Sequence, residues 1–133
     1  MPKYLQELHT LANDLKLSVH FLGEIDLQEL YNLYRTSHAF VALSEHEGFG
    51  LPIIEAMRMK LPVIGYRSTA VANLLYNHPL ACDQLDYFDI ARKLAVVIQS
   101  DNARSTILKL QSDVILPRFS KKVIEDQLSH ALG

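Results

Sequence analysis

The sequence predicts an α/β fold, a parallel sheet flanked by helices, on three observations. Short apolar runs alternate with longer segments whose apolar residues recur at helical spacing. The run Ala39-Phe40-Val41-Ala42-Leu43 is continuous rather than alternating, as in a strand covered on both faces of a parallel sheet. It leads through a glycine-containing loop to Pro52, after which Ile53, Ile54, Met57 and Leu61 share one face of a helix.

In chain order, Tyr4 to Leu15 reads as an amphipathic helix, with Leu5, Leu8, Leu11, Ala12 and Leu15 on one face. Leu17 to Leu22 reads as a strand closed by Gly23. Asp26 is the expected N-cap of a helix to Tyr34, with Glu29 three residues on, as in a capping box. The strand Ala39–Leu43 and the helix Pro52–Met59 follow, then a strand over Leu61–Tyr66. Ser68 or Thr69 is expected to cap a short helix to Leu75, Asn77-His78-Pro79 to turn, and Leu80–Cys82 to form a short last strand. Amphipathic helices are expected over Asp86–Ser100 and Ala103–Val114, with Pro117 ending the second. Ser120 then caps a terminal helix whose apolar face carries Val123, Ile124, Leu128 and Leu132.

With 133 residues the chain suits one domain, 1–133, able to bury a proper core. A hydrophobic content of 49% against 21% charged is that of a globular protein, and a formal charge of −2 gives no basic excess for nucleic acid or an anionic membrane. Cys82 is the single cysteine, which excludes an internal disulfide and any cysteine-rich zinc site. A reducing compartment is the simple reading. No run approaches the ~20 apolar residues of a transmembrane segment, and Met1-Pro2-Lys3-Tyr4 leads directly into a helical pattern rather than a signal peptide.

The chemistry concentrates in Ser44–Met57, SEHEGFGLPIIEAM. A strand, the loop Gly48-Phe49-Gly50 and a helix start make an anion cradle, since free backbone N–H groups and the positive end of the helix dipole point at whatever docks there. Two carboxylates, Glu47 and Glu55, frame it. Acids on both sides do not suit a bare phosphate. They suit a ligand that joins phosphates to hydroxyl-bearing groups, because carboxylates accept hydrogen bonds from hydroxyls. A nucleotide sugar answers that description.

These residues carry a resemblance. Glu47-Gly48-Phe49-Gly50-Leu51-Pro52, Glu55-Ala56-Met57 and Pro62-Val63-Ile64 resemble the signature of retaining GT-B glycosyltransferases of the family 4 (group 1) type, and Phe21-Leu22-Gly23, Leu30, Leu33-Tyr34 and Ser44 are similar to the same family. The likeness runs from about Tyr4 to about Val97. It implies a Rossmann-like sheet, the donor-binding C-terminal half of a GT-B enzyme, and sugar transfer from a nucleotide-diphosphate sugar with retained anomeric configuration in glycan or polysaccharide biosynthesis. It implies Glu47 as the catalytic-site carboxylate at the transferred sugar and Glu55 on the nucleotide ribose. Gly48 lies in the donor loop, and the backbone N–H groups of Phe49, Gly50 and Leu51 meet sugar and diphosphate. Ile25 would hold the base through its backbone; Glu24 stands where the family often has an aromatic residue. No metal or other cofactor is implied.

Other residues have two readings each. His46 either contacts the donor or stays exposed. Arg67-Ser68-Thr69 either lines the cleft or forms a capping turn. His9, His20, His38, His78 and His130 lack metal-ligand spacing and read as structural, and Cys82 as a buried small hydrophobe. The chain departs from the family pattern in lacking a glycine within Arg58-Met59-Lys60-Leu61 and in carrying Ala70-Val71-Ala72-Asn73 where glycines and a glutamate are usual. The resemblance further implies that two strands, their cationic loop residues and the acceptor domain are absent from these residues. The chain by itself is therefore expected to be inactive, completed by a homo-oligomer or a separately encoded N-terminal domain, and cytoplasmic, at the membrane only through such a partner. The alternative is a non-catalytic nucleotide-sugar-binding module. Without the two strands, either Leu17–Leu22 pairs with Ala39–Leu43 or that strand keeps an open edge, and the open edge is the expectation.

Overall fold

The computed structural model describes residues 2–44, 50–68, 72–119, 125, 129 and 130. Of the expected terminal helix, Ser120, Val123, Ile124, Leu128 and Leu132 lie outside the described residues, as do Thr69, Ala70 and Val71. The chain forms two compact units, Met1–Leu30 and Tyr31–Gly133.

The first unit opens with helix α1 (Lys3–Asp14). It stops in a Schellman turn: Leu17 N–H donates to Ala12 O at 2.9 Å and Lys16 N–H to Asn13 O at 3.0 Å, with Lys16 at φ 56°. The expected strand Leu17–Leu22 does not form; residues 17–23 are irregular. A strand exists only through ladder hydrogen bonds, and the sheet contains no strand from this segment. Leu17, Val19 and Leu22 remain exposed, and Phe21 packs its ring 4.2 Å from that of His9 on α1. Asp26 caps α2 (Leu27–Thr36) as expected, its Oδ1 accepting from Glu29 N–H at 2.8 Å.

The second unit holds a three-stranded parallel sheet of order β1 (Phe40–Ala42), β2 (Val63–Tyr66), β3 (Ala81–Cys82). Phe40 pairs with Val63 and Ala42 with Gly65, then Gly65 with Ala81 and Tyr66 with Cys82. Helices flank this sheet, so the α/β prediction holds. Val63 and Ile64 on the central strand are fully buried. β1 is not covered on both faces as its apolar run suggested: Val41 on one face is 40% exposed, while Phe40 and Ala42 on the other are half-buried. Among the described residues β1 stands at the end of the sheet order.

Between β1 and β2 runs α3 (Leu51–Arg58), which buries Ile53, Ile54, Ala56 and Met57. It returns to β2 through a second Schellman turn. Leu61 N–H donates to Ala56 O at 3.0 Å and Lys60 N–H to Met57 O at 3.1 Å, with Lys60 at φ 61°. The glycine missing from Arg58–Leu61 is therefore not missing as geometry: Lys60 adopts the left-handed conformation a glycine would take without strain. After β2, residues 72–77 form turns where a helix was expected. Arg67 holds these turns: its Nε donates to Leu75 O at 3.1 Å and Nη2 to Tyr76 O at 3.4 Å, while Nη1 pairs with Asp83 at 2.7 Å.

Helix α4 (Tyr87–Gln99) is capped by Asp86, which accepts from Phe88 and Asp89 N–H, and α5 (Asp101–Leu110) by Ser100, which accepts from Ala103 N–H. Lys93 on α4 ties back to β3 through Ala81 O at 3.2 Å. Ile64, Leu80, Cys82, Ile90, Val97 and Ile107 make a core cluster, with Cys82 a buried small hydrophobe as read. α5 continues as a π turn (Gln111–Ile115) and a 3₁₀ turn (Leu116–Arg118) containing Pro117.

Two polar side chains, Gln111 and His78, meet within this apolar interior. Gln111, fully buried, accepts from Val63 N–H at 2.9 Å through Oε1 and donates from Nε2 to Leu61 O at 2.7 Å. His78, also buried, has Nε2 2.9 Å from the same Oε1, while its Nδ1 accepts from Leu80 N–H at 3.0 Å. Nδ1 is thus an acceptor and Nε2 carries the proton: the ring is neutral and both nitrogens are used. Burial holds the His78 pKa below the usual histidine value, assisted by the charge of Arg67 and opposed by the bond to Gln111.

Two outcomes follow for stability. Gln111→Leu strands Val63 N–H and Leu61 C=O in the core and costs about 2–4 kcal/mol in denaturant unfolding. As pH falls, the unfolded chain takes up the proton at the ordinary value of ~6.5 before the folded one does. The contribution of His78 is then complete above that pH and is lost progressively below it; a melting temperature unchanged between pH 7 and 5 would contradict this. A third outcome concerns the turn after α3: Lys60→Gly relieves the left-handed strain and raises stability by about 1 kcal/mol, read from the same unfolding midpoint.

Candidate functional site

The carboxyl ends of parallel strands are where α/β sheets open a crevice, and the glycine loop follows the carboxyl end of β1. Of its residues, His46, Glu47, Gly48 and Phe49 lie outside the described residues. Gly50 is the N-cap of α3, buried, with φ 69° and ψ 20°. This left-handed conformation is open to glycine at no steric cost. No side chain caps the helix here. Pro52 has no N–H, and the N–H groups of Ile53 and Ile54 both donate to Gly50 O at 3.1 Å. The N–H groups of Gly50 and Leu51 have no acceptor among the described residues. They stand at the positive end of α3, where an anion is favoured.

Glu55 lies about 7.5 Å further along the helix axis at ~1.5 Å per residue. It is half-buried, and the hydroxyl of buried Tyr34 donates to its Oε2 across 3.4 Å, a long bond. Burial first, then the negative charge of Glu55, pushes the Tyr34 pKa above the usual phenol value, which keeps Tyr34 a donor. Glu55 also lines a cavity of about 320 Å³ together with Tyr31 and Arg35 of α2, Arg58 at the end of α3 and Met59 just past it.

Within the second unit the structure therefore brings Gly50, Leu51 and Glu55 onto the first turns of one helix, as the sequence implied. Ile25 belongs to the first unit, half-buried in the turn between Gly23 (φ 60°) and α2. Arg67 has its guanidinium committed to Asp83, Leu75 and Tyr76. Ser68, buried just past β2, has an Oγ without a hydrogen-bond partner. Arg35 and Arg58 were not singled out from the sequence. The signal was present only as positions: Tyr31 and Arg35 are four apart on α2, and Glu55, Arg58 and Met59 fall at i, i+3 and i+4 on α3.

The class these features define is shown by comparison with known proteins. Residues 2–109 match the family of glycosyl transferases group 1, and the chain belongs to that family. Among its relatives, the serotype-specific mannosyltransferase WbdA of Escherichia coli is 46% identical over 125 residues, covering 90% of this chain and 15% of that protein. The O-antigen chain mannosyltransferase RfbU of Salmonella typhimurium is 44% identical over 63 residues, 46% of this chain and 18% of its own length. The O-antigen chain mannosyltransferase B of E. coli is 33% identical over 86 residues, 65% of this chain and 23% of its own. The chain thus spans less than a quarter of the length of these relatives. No solved structure matches it at a significant level. No described helix is long and apolar enough to cross a membrane.

Gly50→Ala places a Cβ in the left-handed region and costs about 1–2 kcal/mol. Gly50→Asn, whose side chain tolerates that region, costs less. Unfolding midpoints of the two variants check the order.

Proposed function

We propose that this chain is the donor-binding part of a retaining GT-B glycosyltransferase of family 4 type. It takes a nucleotide-diphosphate sugar and works with an acceptor-binding partner domain in glycan biosynthesis. The observation that carries the proposal is the uncapped N-terminus of α3 with Glu55 about one and a half turns below it. Free N–H groups suit the diphosphate, and a carboxylate at that distance suits ribose hydroxyls. Glu47 is assigned to the transferred sugar, with Gly48, Phe49 and His46 beside it and the Ile25 turn at the base. The mannosyltransferase relatives favour mannose as the sugar. The leaving diphosphate is stabilised by the dipole of α3 and by cationic side chains rather than by a metal ion. In this reading the protein works in the cytoplasm, at the membrane through a partner domain.

Calorimetric titration with a nucleoside diphosphate and with its sugar derivative tests the assignment. Glu55→Ala weakens both by about 1–3 kcal/mol, the scale of a charge-assisted hydrogen bond. Glu47→Ala weakens the nucleotide sugar more than the bare nucleotide. Equal losses for both ligands in Glu47→Ala would reject that division of roles.

A further inference from the structure

Three aromatic rings stand in solvent at one edge of the sheet. Tyr76 is 75% exposed, Tyr87 69% and Phe88 88%, the last the most exposed large apolar side chain among the described residues. Chain connections bring them together. Arg67 follows the carboxyl end of β2 and Asp83 that of β3, and the two pair at 2.7 Å. Arg67 also holds the Tyr76 carbonyl at 3.4 Å. From Asp83 the chain runs directly into Tyr87 and Phe88, in the first turn of α4. In a parallel sheet all carboxyl ends share one edge. This surface therefore lies about 10 Å, two strand spacings of ~4.8 Å, across from the end of β1 that leads into the glycine loop.

Isolated exposed apolar side chains are ordinary, but three aromatic rings at one sheet edge mark an interaction surface. Its charges select the partner. The charged side chains between residues 67 and 93 are all engaged: Arg67 with Asp83, Arg92 and Lys93 with Asp89, and Asp86 with the first N–H groups of α4. No unpaired cation is offered to phosphate here, which disfavours nucleic acid and an anionic membrane. What the surface offers is flat apolar faces beside carboxylate oxygens and the exposed Gln84 amide. A sugar ring is the complement of that pattern. Its C–H face lies on an aromatic ring, and its rim of hydroxyls donates and accepts.

We infer that this surface binds a neutral oligosaccharide, with sugar rings on Tyr76, Tyr87 and Phe88 and hydroxyls on Asp83 and Gln84. The inference rests on the proposed function only for what that glycan is: the acceptor chain, held some units away from its reacting end while the partner domain presents the end itself. The donor site and this surface then share one edge of the sheet but no residue.

The test is native-gel electrophoresis of the full chain through neutral mannan and through dextran, with calorimetry for a nucleotide sugar. At least one polymer should retard the chain. Tyr87→Ala/Phe88→Ala removes two exposed rings and should fold, which circular dichroism checks. It should weaken glycan binding about 10-fold, at roughly 2- to 10-fold per stacked ring, and leave nucleotide-sugar affinity unchanged. Phe88→Trp keeps a flat face and should retain binding, whereas Phe88→Leu keeps apolar bulk without the face and should weaken it. Tyr4→Ala, which removes an exposed ring from α1, should change nothing. A chain that binds nucleotide sugar but is retarded by neither polymer overturns the inference and leaves the donor reading standing. Retardation without nucleotide-sugar binding keeps the glycan surface and rejects the donor reading. Retardation that persists in the double variant overturns the inference. So do rings that drive self-association or binding to neutral phosphatidylcholine vesicles while neither polymer retards the chain.

Discussion

The fold depends on one buried amide. β2 is the middle strand of a small sheet, and its first residues must leave α3 and enter the ladder within a tight turn. Gln111 meets the strand there, taking Val63 N–H and Leu61 C=O at once, as another strand would. Its Oε1 also holds His78, which in turn holds Leu80 N–H on the approach to β3. A single side chain therefore fixes the register of the central strand, the turn before the third strand and the end of α5. The π turn that begins at Gln111 belongs with this role, since such turns occur where a helix must re-aim a side chain. A satisfied network of this kind specifies one arrangement, and a half-satisfied one would be worse than an apolar core.

The site inherits its position from that anchoring. α3 lies between β1 and β2, packs Ile53, Ile54, Ala56 and Met57 into the core, and is closed at its far end by the Lys60 turn. A lysine in the left-handed conformation is strained, but its charge lies at the negative end of the helix, which offsets part of the cost. Lys16 does the same after α1. The chain has used lysine at two helix ends where glycine is the unstrained choice.

How much of this was legible in the sequence follows from what each signal encodes. Helical periodicity reports a buried face, so the helices around Leu8, Ile54, Ile90 and Ile107 were readable, as was the Asp26 cap, which is a local interaction. A short apolar-rich run bounded by glycine does not name a pairing partner, and the strand expected over Leu17–Leu22 is not found. The turns over residues 72–77 involve a tertiary contact, Arg67 reaching across to Leu75 and Tyr76, which local sequence does not encode. Gln111 falls four residues after Ile107 and four before Ile115, on the buried face, and that placement was the available signal for it. In the site, Gly50 and Glu55 were readable because strand, glycine and helix start are consecutive. Arg35 and Arg58 were not, because each is ordinary on its own helix and only packing puts them on one wall.

The two ends of α3 differ in a way that bears on its use. Its C-terminus is fully closed, with both turn bonds made and Lys60 supplying charge. Its N-terminus carries a glycine with no capping side chain, where serine, threonine, asparagine or aspartate would stabilise the helix by about 1 kcal/mol. A protein selected for stability alone gains by filling that position. Leaving it open preserves donors that a capping oxygen would occupy, and the left-handed backbone at Gly50 keeps side-chain bulk away from them. In the proposed reading an anion docking there would complete the cap, so that binding and helix stability would be one interaction.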